Sequence, residues 1–277
     1  MPEGPEMYRV ARRITDEIGG RRMTEVWFAF DELKPWQAEL QGRKFERAET
    51  RGKALLLRFA TGPTIYTHNQ LYGRWMFSEP DRRPDTNRQL RLALSSADRS
   101  ALLYSASEID VIEPGEEDAH PFLSSIGLDI LSSGADRFEV IDWMARDEFA
   151  NRQLGGLLLD QSFLAGVGNY LRSEILFHAR LRPGQRIRDL DAEGLRRLAE
   201  SACLMIRRAA RTEGITNDRS RVVKLKKAGW KRGDYRHFVF GRDGQACFEC
   251  DGEVRKTRVA SRRLYWCPGC QGKRGDR

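Results

Sequence analysis

Apolar and polar positions follow two different rhythms along this 277-residue chain, and the change falls near its middle. Met7, Val10, Ala11, Ile14 and Ile18 recur mostly at spacings of three and four, which gathers them on one stripe of a helix. The spacing predicts a helix over 3–18, stopped by Gly19-Gly20. Short runs with strand character follow: Thr24–Phe30, Lys44–Thr50, Ala54–Phe59, Thr64–His68, Leu90–Leu94 and Ala101–Ser105. Gly, Pro and Asp-rich turns separate them at intervals typical of an antiparallel sandwich or barrel. Residues 79–88 have the composition of an exposed loop. Beyond Pro114–His120 the period lengthens, predicting helices over Phe138–Ala145, Gln153–Leu159, Gly168–Ala179 and Asp191–Arg208. Residues 219–236 carry eight Lys/Arg and one acid, a composition that predicts an unpacked surface loop or arm.

The pattern therefore predicts an α+β protein of two domains, an N-terminal β-sandwich with a flanking helix and a helical C-terminal half. No run of about 18 apolar residues is present, which excludes a transmembrane helix. The N-terminal Met-Pro-Glu-Gly-Pro-Glu lacks the basic and apolar regions of a secretory signal, so a soluble cytoplasmic protein is expected.

Charge sharpens the division. The net charge is +8, but residues 181–277 hold 25 Lys/Arg against 12 Asp/Glu, leaving 23 against 28 in residues 1–180. A basic C-terminal half suits a polyanion, whose phosphates release counterions when neutralised. Charge alone fits a solvated basic face equally well.

Cysteine spacing is more specific. Cys247/Cys250 and Cys267/Cys270 are two C-x-x-C pairs separated by sixteen residues, a spacing that lets four thiolates close tetrahedrally on one structural Zn²⁺. Four cysteine ligands leave no position for a reacting water, so catalysis must lie elsewhere. Arg255, Lys256, Arg258, Arg262 and Arg263 lie between the pairs, where guanidinium groups could meet phosphate. Cys203 stands alone in an apolar helical stretch and is expected to be a core thiol.

Two further segments carry candidate chemistry. Gly166-Val167-Gly168-Asn169 opens a predicted helix, where backbone N–H groups and an asparagine can hold a phosphate, or where the chain simply turns. Pro2 becomes a free secondary amine if Met1 is removed; such an amine can attack a sugar C1′ to form an iminium, with Glu3 exchanging protons. Pro-Glu is equally a good helix start.

Together these segments resemble the formamidopyrimidine-DNA glycosylase/endonuclease VIII family over nearly the whole chain. Met-Pro-Glu-Gly-Pro-Glu is similar to the endonuclease VIII branch, and Glu49-Thr-Arg-Gly-Lys-Ala-Leu-Leu resembles the segment bearing the family's catalytic lysine. His68-Asn-Gln-Leu-Tyr-Gly resembles the endonuclease VIII loop that fills the gap left by an extruded base. Leu159 to Arg172 resembles the helix–two-turn–helix clamp, and the cysteine segment the family's zinc finger.

The resemblance implies a sandwich domain over 1–130, a helix–two-turn–helix domain over 131–236 and a zinc finger over 237–271. It implies Pro2 as Schiff-base nucleophile, Glu3 as general acid/base, Lys53 holding the phosphate near the lesion, and Arg262 as the finger arginine. Gly168 and Asn169 would contact the DNA backbone, while Gln70, Leu71 and Tyr72 enter the duplex. The implied activity is release of oxidised pyrimidines from double-stranded DNA with β,δ-elimination, by a monomer holding one structural zinc. Alternatives are the sister activity on purine lesions and a non-enzymatic zinc-ribbon DNA binder. Ser125 departs from the pattern, standing where a relative would offer arginine to DNA.

Overall fold

The computed structural model describes residues 2–272. The chain divides into two compact units, with the change between Ser125 and Ile126.

The first unit begins with α1 (Gly4–Ile18). Glu3 is its N-cap, and the Glu6 carboxylate accepts the Glu3 N–H at 3.0 Å in a capping box. Eight strands follow, with a short helix α2 (Pro35–Leu40) after the first. They are β1 (Glu25–Phe28), β2 (Phe45–Arg51), β3 (Ala54–Phe59), β4 (Thr64–His68), β5 (Arg74–Ser78), β6 (Leu90–Ser95), β7 (Ser100–Tyr104) and β8 (Glu108–Ile112). All pairings are antiparallel, in two four-stranded sheets of order β1-β6-β7-β5 and β2-β3-β4-β8. The pleat sends alternate residues to opposite faces, so Leu55 and Leu57 of β3 join Leu92, Leu94 and Leu103 between the sheets. Met7, Ile14 and Ile18 of α1 close that core. Ala54 and Leu56 face the other way, against Tyr66, Ile112 and the Phe122 ring of α3 (Pro121–Ser125). The six strands expected from the sequence are present; β5 and β8 complete the sheets.

The second unit is helical: α4 (Arg137–Met144), α5 (Asp147–Ala150), α6 (Leu154–Leu157), α7 (Asn169–His178) and α8 (Ala192–Arg211). Asp136 caps α4 in a box with Glu139, and Asp191 caps α8 through the Gly194 N–H at 2.7 Å. Helix α7 is the axis of this unit, buried from Tyr170 to Phe177. Leu171, Ile175 and Leu176 pack with Leu198, Ala202 and Ile206 of α8, and Cys203 lies in the same core, its thiol pushed up in pKa by burial.

Residues 219–236 are not the loop their composition suggests. They form α9 (Arg219–Lys227) and α10 (Arg232–Tyr235). Val222 and Tyr235 are buried, and this anchorage outweighs the like-charge repulsion among the lysines. Gly229, at φ +80°, ends α9 in a Schellman turn in which the Trp230 N–H reaches the Leu225 carbonyl at 3.0 Å. The chain closes with the hairpin β9 (Arg255–Val259) and β10 (Arg262–Trp266), then α11 (Pro268–Gln271). Leu264 and Tyr265 of β10 belong to the same core as α7, so the finger is part of the second unit.

Candidate active site and nucleic-acid interface

In the first unit, the direction of α1 decides what meets its N-terminus. The Thr15 hydroxyl accepts the Ala48 N–H at 2.9 Å, and the Gly20 N–H reaches the Phe45 carbonyl at 2.8 Å, so α1 runs antiparallel to β2. From Thr15 back to Glu3 the helix rises about 18 Å at 1.5 Å per residue. From Ala48 on to Arg51 the strand advances about 10 Å at 3.3 Å per residue, and the Gly52-Lys53 turn follows. The head of α1 with Glu3 and the turn with Lys53 therefore lie toward the same end of this antiparallel pair.

Lys53 lies in a two-residue turn, because Arg51 pairs with Ala54 across β2 and β3. Gly52 takes the positive φ (+61°) that the first place of such a turn demands. Ala54 in turn pairs with His68, and His68 with Glu108, so the loop after β4 starts at the same end. Burial lowers the His68 pKa, and Lys53 adds to that against the pull of Glu108. Glu3 is buried and Pro2 half-buried at the head of α1, whose dipole opposes a full positive charge there.

The 69–73 loop is tied at its base and bare at its tip. The Gly73 N–H returns to the Asn69 carbonyl at 2.8 Å, and a side chain at Gly73 would strike that residue's backbone at 2.6 Å. Gln70, at φ +45°, donates from Nε2 to Glu108 Oε2 at 2.7 Å, while the Ser107 hydroxyl donates to its Oε1 at 2.9 Å. Glu108 also accepts the Tyr66 hydroxyl, which together with burial raises the Tyr66 pKa. Leu71 is 60% exposed and Tyr72 70% exposed. An exposed leucine and tyrosine side by side are ready to bury themselves in something else.

In the second unit, Gln161 shapes the turn before α7. Its amide donates to the Leu159 and Val167 carbonyls, both at 2.9 Å, and accepts the Gly166 N–H at 3.0 Å. Gly166 sits at φ +86°, and Gly168 is the extended N-cap of α7. Asn169 opens the helix with its Oδ1 accepting from Arg172 at 2.7 Å, so its NH₂ end is what it presents outward.

Arg172 is the residue that motif reading missed. It is fully buried and donates to the carbonyls of Gly155 (2.7 Å), Val259 (3.2 Å) and Arg263 (3.1 Å) as well as to Asn169. It thus fixes Asn169 and the two finger strands around exposed Arg262 with one guanidinium. The finger tip, Ala260-Ser261, has φ of +52° and +61°, the two-residue hairpin geometry that places Arg262 at the start of β10. A lone arginine in an apolar helix signals a buried partner set, but nothing local says which.

The four finger cysteines converge. Their Sγ atoms lie within 4.8 Å of one another, with Cys247–Cys270 at 3.7 Å and Cys250–Cys267 at 3.4 Å. A tetrahedral Zn–S distance of about 2.3 Å requires sulfurs about 3.8 Å apart, so the cluster has the size of a zinc site. Gly269 fits this crowding, since a Cβ there would lie 3.0 Å from Cys250 Sγ. Ser125 ends α3 with its hydroxyl donating to its own helix, at Phe122 O, 2.9 Å.

The profile described as the formamidopyrimidine-DNA glycosylase N-terminal domain matches residues 1–107, and that of the same enzyme's H2TH domain matches 126–220. The Endonuclease 8 proteins of Shigella flexneri serotype 5b and Escherichia coli K12 are each 43% identical over 271 residues, covering 98% of this chain and 100% of their own. The chain belongs to the formamidopyrimidine-DNA glycosylase/endonuclease VIII family. Solved family structures share the fold: Lactococcus lactis Fpg bound to DNA containing an oxidised pyrimidine superposes with a TM-score of 0.78 at 20% identity. The same protein bound to abasic-site DNA gives 0.78 at 21%, each covering 98% of this chain and 100% of the other. Among the described residues, no helix of this family member is long and apolar enough to cross a membrane.

Proposed function

We propose that Pro2, exposed by removal of Met1, is the nucleophile with which this chain releases oxidised pyrimidines from double-stranded DNA. Family membership makes the chain a DNA glycosylase with AP lyase activity in base excision repair; the residue roles and the lesion class are the additions. The observation that carries them is that the head of α1 with Pro2-Glu3, the Lys53 turn and the start of the 69–73 loop lie toward the same end of the first unit's strands.

The prolyl nitrogen attacks C1′, and the base leaves with the C1′–N electron pair and a proton. The nitrogen lone pair then opens the sugar ring at C1′–O4′, O4′ taking up a proton, and the resulting iminium draws in the electrons of a C2′–H bond as that proton is removed, while the 3′-phosphate departs with the C3′–O pair. A second elimination expels the 5′-phosphate, and water frees the sugar fragment from Pro2, leaving a one-nucleotide gap. Glu3, held at the helix head, moves the protons. Lys53 and Arg262 hold the phosphates, and Asn169 grips the backbone from the clamp turn. Leu71 and Tyr72 fill the void of the extruded nucleotide with Gln70, offsetting part of the few kcal/mol of lost stacking. Zinc is the metal that fits four converging thiolates, and it would hold the finger in shape and take no part in the reaction.

Borohydride trapping tests the proposal. Native protein should form a covalent adduct with a duplex bearing 5-hydroxycytosine, and a copy with an N-terminal extension should not. Faster trapping on an 8-oxoguanine duplex would transfer the chain to the purine-lesion reading. Tight binding without any adduct, with Met1 verified as absent, would refute the lyase mechanism and leave a non-enzymatic binder.

A further inference from the structure

The α9–α10 hairpin carries more cationic charge than its own fold can use. Of its eight Lys/Arg, Arg221 pairs with Glu249 at 2.7 Å, Arg232 with Glu213 at 3.7 Å, and Lys226 lies 5.5 Å over the Tyr235 ring. Arg219, Lys224, Lys227 and Lys231 are exposed and have no carboxylate within ion-pair distance among the described residues. Lys224 and Lys227 stand one turn apart on α9, an arrangement that like charges disfavour unless an outside anion lies against them.

This charge is displayed from a rigid base. The Thr216 and Asn217 N–H groups reach the Arg236 carbonyl at 3.0 and 3.3 Å, and the Asn217 amide reaches the Tyr235 carbonyl at 3.1 Å, which zips the two ends of the hairpin together. Below it, the His237 ring stacks on Tyr170 at 4.9 Å, and the Arg236 guanidinium lies 5.2 Å over the same ring. Tyr170 follows Asn169 directly, so the hairpin is rooted on the turn that carries the clamp asparagine. Residues 221–236 lie outside both family-profile matches.

We infer that α9–α10 is an auxiliary duplex-binding element, in which Lys224, Lys227 and Lys231 neutralise phosphates additional to those held by Asn169 and Arg262. The partner is a polyanion by charge and duplex DNA by its root beside the clamp turn; the inference rests on the DNA reading above. A bilayer is the poorer fit, because Val223 (45% exposed) and Trp230 (40% exposed) are two isolated apolar side chains among cations.

Anisotropy titrations of full-length protein on a duplex with a tetrahydrofuran abasic analogue, from roughly 50 to 200 mM salt, test this. Each lost phosphate contact removes about 0.9 from the slope of log K against log salt, so K224A/K227A/K231A should flatten it by up to about 2.7. The K224R/K227R/K231R variant should keep the native slope, and strand cleavage by saturating protein should be unchanged in both. A native slope and Kd in the alanine variant overturn the inference. R262A run alongside separates the two readings: a reduced slope there with an unaltered hairpin variant leaves the clamp assignment standing alone, and no change in either removes both.

Discussion

Arg172→Met isolates how much of the second unit hangs on one buried guanidinium. Methionine roughly preserves the stem and removes four N–H···O contacts of 2.7 to 3.2 Å. A hydrogen bond from a charged donor contributes about 1.5–3 kcal/mol. Four of them would exceed 6 kcal/mol by simple addition, but removing the charge also returns the several kcal/mol spent on its desolvation. What remains is the cost of stranding the Gly155, Val259 and Arg263 carbonyls, about 3–5 kcal/mol in all at the lower part of the roughly 1–3 kcal/mol that each buried acceptor left without a donor costs. Against a total stability of about 5–15 kcal/mol the protein still folds, with a transition about 6–20 °C lower at roughly 2–4 °C per kcal/mol. Asn169 loses the partner that turns its NH₂ outward, and the strands flanking Arg262 lose their common anchor. Affinity for an abasic-analogue duplex should therefore fall about tenfold or more, equivalent to at least about 1.4 kcal/mol. Differential scanning calorimetry and anisotropy on the same preparation read both effects. Melting within about 2 °C of native would refute the role given to the guanidinium. Large destabilisation with native affinity would confine Arg172 to folding.

Other perturbations separate the remaining parts. Glu3→Gln should slow single-turnover base release by about 10²–10⁴ with duplex affinity near native, measured by rapid-quench assay; a change in affinity alone would remove Glu3 from proton transfer. Leu71→Ala should weaken extrusion by about 1–3 kcal/mol, the worth of a buried apolar side chain, read as slower 2-aminopurine fluorescence change opposite the lesion, while trapping on a single-stranded abasic substrate stays native. With the proposed zinc on the four finger thiolates, its removal by chelator should unfold the finger, because the clustered thiolates lose the ion that draws them together, and duplex affinity should fall with released metal in proportion; full affinity in metal-free protein would contradict this. For pH, burial lowers the His237 pKa well below its usual 6.5, so the unfolded chain takes its proton first as pH falls. Its stabilising effect is whole above about 6.5 and is lost below, at about 1.4 kcal/mol per pH unit. His237→Asn, which keeps an N–H toward the Thr216 hydroxyl 2.9 Å away, should remove one proton's worth of that acid slope in melts between pH 7.5 and 5.5, and an unchanged slope would count against the buried neutral ring.

Much of this molecule is written in short stretches of chain. The stripe of Met7, Ala11, Ile14 and Ile18 specifies α1 within a residue, because it expresses the helix's own backbone period, and the short, nearly continuous apolar run Ala54–Phe59 specifies β3, a strand buried on both faces. The two C-x-x-C pairs announce a group of four thiols that could hold a metal, since each pair is a single turn. The basic hairpin shows where local reading fails. Its composition is that of a loop, and the burial of Val222 and Tyr235 anchors it as two helices.

The sequence by itself determined most elements outside the basic hairpin, the cysteine spacing and the family, all of which depend on neighbours a few residues apart or on ordered motifs. Only the tertiary structure decided that Glu3 and Lys53 lie toward the same end, since that follows from α1 running antiparallel to β2. It also decided that Gln70 is held by Ser107 and Glu108, 37 and 38 residues away, and that Arg172 joins Gly155, Asn169, Val259 and Arg263. Such partners are brought together by burial of apolar surface elsewhere, which is non-directional and leaves no mark in the spacing of the polar residues it collects.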